Sequence, residues 1–175
     1  RPPLAHAANS AGALCGRAYA GDLIRPGIFL YGGHAGITAP LAVAALRARV
    51  LAVRRIARGE PVSYGATWHA QRETTIATLG LGYADGFLRA AREHSPGLPP
   101  RMVELGDALV PVVGRVTMDM TMVDAGDVPV AAGDAATIFG GRVSLDQQAQ
   151  AAGTIAYEML TALGTRVPRR YRRQA

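Results

Sequence analysis

Tyr83 and Asp85 sit in the stretch Gly80-Leu81-Gly82-Tyr83-Ala84-Asp85-Gly86, a phenol and a carboxylate two residues apart among three glycines. A phenol exchanges protons usefully once its surroundings bring its pKa down from the ordinary value near ~10. The preceding residues, Thr75 to Leu81, read as an apolar strand. Gly82 breaks it, and a turn forms around Asp85-Gly86, because glycine adopts backbone angles closed to other residues. A side chain at such a strand end is offered outward on a rigid support. The alternative is a hairpin turn whose tyrosine packs over an apolar face.

Two other stretches have residue types suited to an anion. Asn9-Ser10 at a helix start presents a hydroxyl and free amides, and Gly27-Ile28 follows Pro26. Phosphate groups favour helix N-termini and glycine-permitted backbone. A helix cap and a buried turn would need no ligand at all. Other chemistries lack their patterns. Four scattered histidines and one cysteine give no HxxxH or CxxC spacing for a metal, and Asp119, Asp124 and Asp127 miss EF-hand spacing. No GxSxG elbow is present, and Gly80, Gly82 and Gly86 miss the dinucleotide-binding spacing. All nineteen basic residues are arginine, so no side chain offers a primary amine to a carbonyl group.

The elements that must carry these residues are mostly strands. Leu46 to Ile56 alternates over its length. Val62 to Trp68, Glu73 to Gly80, Arg101 to Leu105, Val110 to Val116, Met118 to Val123 and Ala135 to Phe139 follow, separated by Gly, Pro or Asp turns. The pattern predicts an antiparallel barrel or sandwich. Glu93 to Pro100 reads as a loop. Ser144 and Gln147 predict a capping box at a helix start, Gly153 its end, and Thr154 the cap of a second helix. Before the strands, Asn9 or Ser10 caps a short helix, Leu23 to Gly32 reads as a buried strand or turn, and Gly32 to Gly36 as a linker.

The chain has 175 residues, 49% of them hydrophobic, enough for one sizeable core. Arginines interrupt every apolar run before it reaches membrane-spanning length, and the first residues lack a signal-peptide plan. One cysteine, Cys15, fits a reducing compartment, so the expected location is the cytoplasm. The net charge of +6 is dispersed except for Arg166, Arg169, Arg170, Arg172 and Arg173. With no nucleic-acid-binding motif beside them, these form a solvated tail or pair with carboxylates elsewhere in the protein.

The order of the motifs carries more than any one of them. His6-Ala7-Ala8-Asn9-Ser10-Ala11, Arg25-Pro26-Gly27-Ile28, Val62-Ser63-Tyr64-Gly65, Gly82-Tyr83-Ala84-Asp85-Gly86, Val113-Gly114-Arg115-Val116-Thr117-Met118-Asp119 and Gly153-Thr154-Ile155-Ala156-Tyr157-Glu158 occur in sequence. Together they resemble the later half of alanine racemase, a family of pyridoxal 5'-phosphate enzymes that interconvert L- and D-alanine. The resemblance implies a (β/α)₈ barrel ending near residue 34, then a mainly β C-terminal domain over 35–175. It implies that Ser10, Gly27, Ile28 and Tyr157 hold the cofactor phosphate, and that Arg25, steadied by His6, faces the pyridine nitrogen. An always-protonated Arg leaves that nitrogen unprotonated and the ring a weaker electron sink, which limits side reactions. Tyr83 becomes one of two acid/base groups, the Met118 amide binds the substrate carboxylate, and Asp85 and Asp119 orient turns near the entrance.

The family's other acid/base is the lysine that carries the cofactor. It lies in barrel strands without counterpart here, so this chain alone is expected to be inactive. The implied partners are that lysine-bearing barrel half and a second subunit, in a homodimer with shared active sites. Related serine or broad-specificity racemases share the motifs. A split enzyme, a racemase fragment and a non-catalytic β-barrel dimerisation module are the competing readings.

Overall fold

The computed structural model describes residues 3–89 and 97–172. Its centre is a closed six-stranded antiparallel barrel in the order β1-β4-β7-β6-β5-β8, returning to β1. The strands are β1 (Leu46–Ile56), β4 (Thr74–Leu79), β5 (Met102–Leu105), β6 (Ala108–Val113), β7 (Thr121–Gly126) and β8 (Ala135–Phe139). A two-stranded ribbon, β2 (Pro61–Val62) and β3 (Trp68–His69), lies outside it. The barrel alternative holds, and the sandwich does not.

Closure depends on β1. Its first residues pair with β8 (Arg47 with Thr137, Arg49 with Ala135), its last with β4 (Val53 with Ala77, Ile56 with Thr74). The β4 register shifts between Val50 and Ala52, and a bulge of this kind bends a strand and increases its twist. One long strand thereby turns the corner between two neighbours, and the sheet has no edge at that seam.

The side-chain period of two sorts the core. On β4, Ala77 and Leu79 join Val50, Val103, Leu105, Val123, Ala136 and Ile138 in the main cluster. Ile76 points the other way, into a second cluster with Ile56, Val62, Ala70 and Val113 beneath the ribbon. Both faces of β4 are therefore covered, as its near-continuous burial requires.

Several boundaries differ from the sequence expectations. The strand predicted over Val62 to Trp68 is cut by a 3₁₀ turn at Tyr64–Ala66. Ser63, Gly65 and Ala66 have φ of 67°, 74° and 46°, which no strand tolerates. β6 stops at Val113, before Gly114 at φ 65°, rather than running to Val116. β7 starts at Thr121 and not at Met118, because Thr117 and Met120 close a turn on each other. The loop expected over Glu93 to Pro100 lies partly outside the described residues.

The four α-helices among the described residues are short. α1 (Ser10–Leu14) is capped by Asn9, whose Oδ1 accepts the Gly12 N–H at 3.0 Å. α2 (Gly27–Leu30) forms where a buried strand or turn was expected. α3 (Leu145–Ala151) has the predicted capping box, Gln147 N–H to Ser144 Oγ at 3.1 Å and Ser144 N–H to Gln147 Oε1 at 2.7 Å. α4 (Ala156–Thr161) is capped at Ile155 and not at Thr154, which stands one residue too early and donates its hydroxyl to the Glu158 carboxylate. Before Leu46 no strand is assigned among the described residues. Residues 5–9 and 23–26 nevertheless lie side by side, Asp22 N–H on the Ala5 carbonyl at 2.8 Å and Arg25 N–H on that of Ala8 at 2.9 Å. No helix among the described residues is long and apolar enough to cross a membrane.

Candidate active site

Tyr83 opens a 3₁₀ turn, Tyr83–Asp85, directly after β4. Gly82 is required there by close approach: a Cβ on it would lie 2.2 Å from the Met118 carbonyl oxygen. Free of that side chain, the turn docks on the following loop, with Tyr83 N–H on the Thr117 carbonyl at 3.0 Å and Ala84 N–H on that of Met118 at 2.9 Å. Tyr83 and Met118 are thus neighbours by construction. Met118 gives its carbonyl to Ala84, while among the described residues its N–H makes no hydrogen bond. Tyr83 is 40% exposed and is not among the residues of the barrel core.

Asp85 is buried and uses its two oxygens differently. Oδ2 accepts the Gly82 N–H at 2.9 Å, closing the turn on itself. Oδ1 faces Arg166 Nε at 3.3 Å, and Arg166 Nη2 donates to Asp119 Oδ1 at 2.6 Å. The hydrogen bond that Arg166 donates to Asp119 and then the charge of Asp85 push the Arg166 pKa further above the ordinary arginine value. Asp85 and Asp119, both expected to orient turns, meet through this one guanidinium. Composition allowed ion pairing for the C-terminal arginines but gave no way to single out Arg166, since its partners lie 81 and 47 positions away.

The second group of residues lies elsewhere. Ile28 is buried, and Gly33 lies close against both Ile28 and Ala156, which draws α2 toward the first turn of α4. That contact brings Gly27, Ile28 and Tyr157 to the lining of one cavity of about 730 Å³, floored by Leu46, Phe139 and Leu160. A Cβ on Gly27 would meet nothing within 4 Å, so the backbone there faces open space. Ser10 is buried with its Oγ accepting the Phe29 N–H at 3.3 Å, one residue beyond Ile28. Ser10 does not line this cavity, whereas a glycine with a bare face and a tyrosine at its wall suit a phosphate monoester. Arg25 is exposed, its Nη2 on the Ala7 carbonyl at 3.3 Å. His6, the expected support, is exposed and makes no hydrogen bond among the described residues. Neither Tyr83 nor Met118 lines the cavity.

The family model described as alanine racemase, C-terminal domain, matches residues 43–171, and that of the N-terminal domain matches residues 1–35. The chain is 44% identical to the biosynthetic alanine racemase of Agrobacterium fabrum, over 93% of this chain and 44% of that one. It is 45% identical to the Rhodospirillum rubrum alanine racemase, over 94% of this chain and 44% of the relative. The chain therefore spans about half the length of the curated relatives it matches. Among solved structures, biosynthetic alanine racemase from Pseudomonas aeruginosa superposes with a TM-score of 0.85 at 38% identity, covering 98% of this chain and 48% of that one. The Bartonella henselae alanine racemase, solved with covalently bound pyridoxal phosphate, gives 0.82 at 34% identity, covering 94% and 45%. This chain belongs to the alanine racemase family, of which it carries the C-terminal domain.

Proposed function

We propose that this chain is the C-terminal part of a pyridoxal-phosphate-dependent alanine racemase that supplies D-alanine for peptidoglycan. The observation that carries the reading is Tyr83: a half-open phenol on a turn bonded to the Met118 loop, turned out of its own domain's core. Residues 1–34 would close the (β/α)₈ barrel and 35–175 form the second domain. Leu23, Ile24, Leu30, Tyr31, Ile37 and Leu41 expose apolar surface that further barrel elements would cover.

When bound, pyridoxal phosphate draws electrons away from the bond to the substrate's alpha hydrogen. Ser10, Gly27, Ile28 and Tyr157 would hold its phosphate, and Arg25, with His6 behind it, would face the ring nitrogen without giving up a proton. The Met118 N–H binds the substrate carboxylate. The Tyr83 hydroxyl oxygen takes or returns the alpha proton on one face, and a lysine from the barrel half serves the other. Since Tyr83 and the Gly27 cavity lie apart in one chain, each site is completed by a second subunit of a homodimer. The assembly belongs in the cytoplasm, where the exposed Cys15 stays reduced.

The test joins this chain to a lysine-bearing barrel half and follows D-alanine formed from L-alanine. Tyr83→Phe should lower kcat by about 10²- to 10⁴-fold in both directions, the usual share of one positioned acid/base group. Unchanged racemisation by that variant removes Tyr83 from the chemistry. A wild-type assembly that binds the cofactor and never forms D-alanine favours the non-catalytic dimerisation module instead.

A further inference from the structure

Resting on the racemase reading above, we infer that Arg166 is a positioning residue: its guanidinium, shared by Asp85 and Asp119, sets the Tyr83 turn and the Met118 loop at a fixed separation.

The clamp has three parts drawn from separate stretches of chain. Asp85 belongs to the turn that presents Tyr83, and its second oxygen is already spent on Gly82 N–H at 2.9 Å. Asp119 adjoins Met118, on the loop expected to receive the substrate carboxylate. Arg166 follows α4, and the chain leading to it is itself held over the turn, with Gly164 N–H on the Asp85 carbonyl at 3.2 Å. Gly86, at φ 100°, lets that chain approach, because a Cβ there would lie 2.2 Å from the Ala162 carbonyl oxygen.

Only a forked cation spans the two acids. Nη2 donates to Asp119 at 2.6 Å while Nε forms an ion pair with Asp85 at 3.3 Å, so one planar guanidinium reaches both acids at once. A lysine ammonium has no such plane. Arg166 is itself half-exposed, and exposed ion pairs contribute little to overall stability. Proton transfer is far more sensitive to position, a misplacement of one ångström costing up to about a hundredfold. The clamp therefore matters to the relation between acid/base and carboxylate site more than to folding.

The experiment compares Arg166→Met, Arg166→Lys, Asp119→Asn and the Arg166→Met/Asp119→Asn double variant in the complete protein with its barrel half. Arg166→Met should lower kcat about 10- to 100-fold, with a smaller change in KM and a melting temperature within about 4 °C of wild type. Arg166→Lys should fall in between. The double variant should lose no more than the worse single one, because both break the same clamp. Independently of turnover, amide exchange at Tyr83 and Ala84 should quicken about fivefold or more in Arg166→Met while the β4 amides stay as they were. Unaltered exchange at those two amides, or fully additive losses, overturns the clamp even in an active enzyme. Quickened exchange in an assembly that forms no D-alanine supports the clamp and removes the racemase reading instead.

Discussion

Gln148 shows how much one side chain can hold. It is buried on α3, and its Nε2 donates to the Met102 carbonyl at 2.5 Å and the Ile138 carbonyl at 2.6 Å. The β5–β8 ladder pairs only Glu104 with Thr137 and Leu105 with Ala136, so these carbonyls lie just where the strands part. The amide does for them what a further rung would have done. Its Oε1 accepts Arg101 Nε at 3.1 Å, and Arg101 in turn donates to the Leu88 carbonyl at 2.7 Å and lies 3.5 Å over the Phe87 ring. Burial pushes the Arg101 pKa down to about 9, the mark of a cation held out of water. Gln148→Leu should cost about 3 kcal/mol, by leaving two carbonyls and one guanidinium nitrogen unsatisfied. Urea denaturation checks this, and a shift of under 1 kcal/mol contradicts the bridging role. The capping box at Ser144 and Gln147 could be read locally, because both partners fall within four residues. Gln148, one position further on, could not, since its partners are set by where two distant strands diverge.

At the scale of elements, the Tyr83 turn depends on the absence of a methyl group. With the Gly82 Cβ position 2.2 Å from a backbone oxygen, Gly82→Ala forces the turn away from the Met118 loop. The expected cost is about 1–3 kcal/mol of stability. The loss of racemisation should be larger than this cost explains, as a crystal structure and steady-state kinetics of the variant would show. Strands were legible wherever alternation ran uninterrupted, as in β1 and β4. The stretch from Val62 to Trp68 was misread because its pattern is apolar enough for a strand while its backbone is not. Ser63 Oγ donates to the Arg115 carbonyl at 2.7 Å, and the Cβ position of Gly114 lies 2.7 Å from Ser63 Cβ. Tertiary contact, absent from any local window, holds Ser63 in the left-handed region. α4 was displaced by one residue for a smaller reason: Thr154 uses its hydroxyl on Glu158 and leaves Ile155 to begin the helix.

For the whole molecule, the lack of lysine sets a firm expectation. Treated alone with pyridoxal phosphate and then borohydride, the chain should show no stable adduct at any side chain. Mass spectrometry of the digested protein decides it, and a stoichiometric adduct away from the amino terminus would contradict the division of labour between the two halves. Motif order groups Ser10, Gly27, Ile28 and Tyr157, and three of them line one cavity, where Gly33 lets Ile28 and Ala156 approach the same backbone. The glycines at 32 and 33 have a consequence for movement. Spacing alone made them part of a linker, yet a Cβ on Gly32 would lie 2.8 Å from the Leu41 carbonyl oxygen, and one on Gly33 would lie 2.5 Å from Ile28 Cγ1. His34 N–H is tied to Asp146 Oδ2 at 3.0 Å just beyond them. Small residues here serve tight contact rather than bending, and they hold the N-terminal segment against the rest of the chain. What reads as slack in the sequence is a packed seam in the fold, where any side chain larger than hydrogen would meet backbone or Ile28.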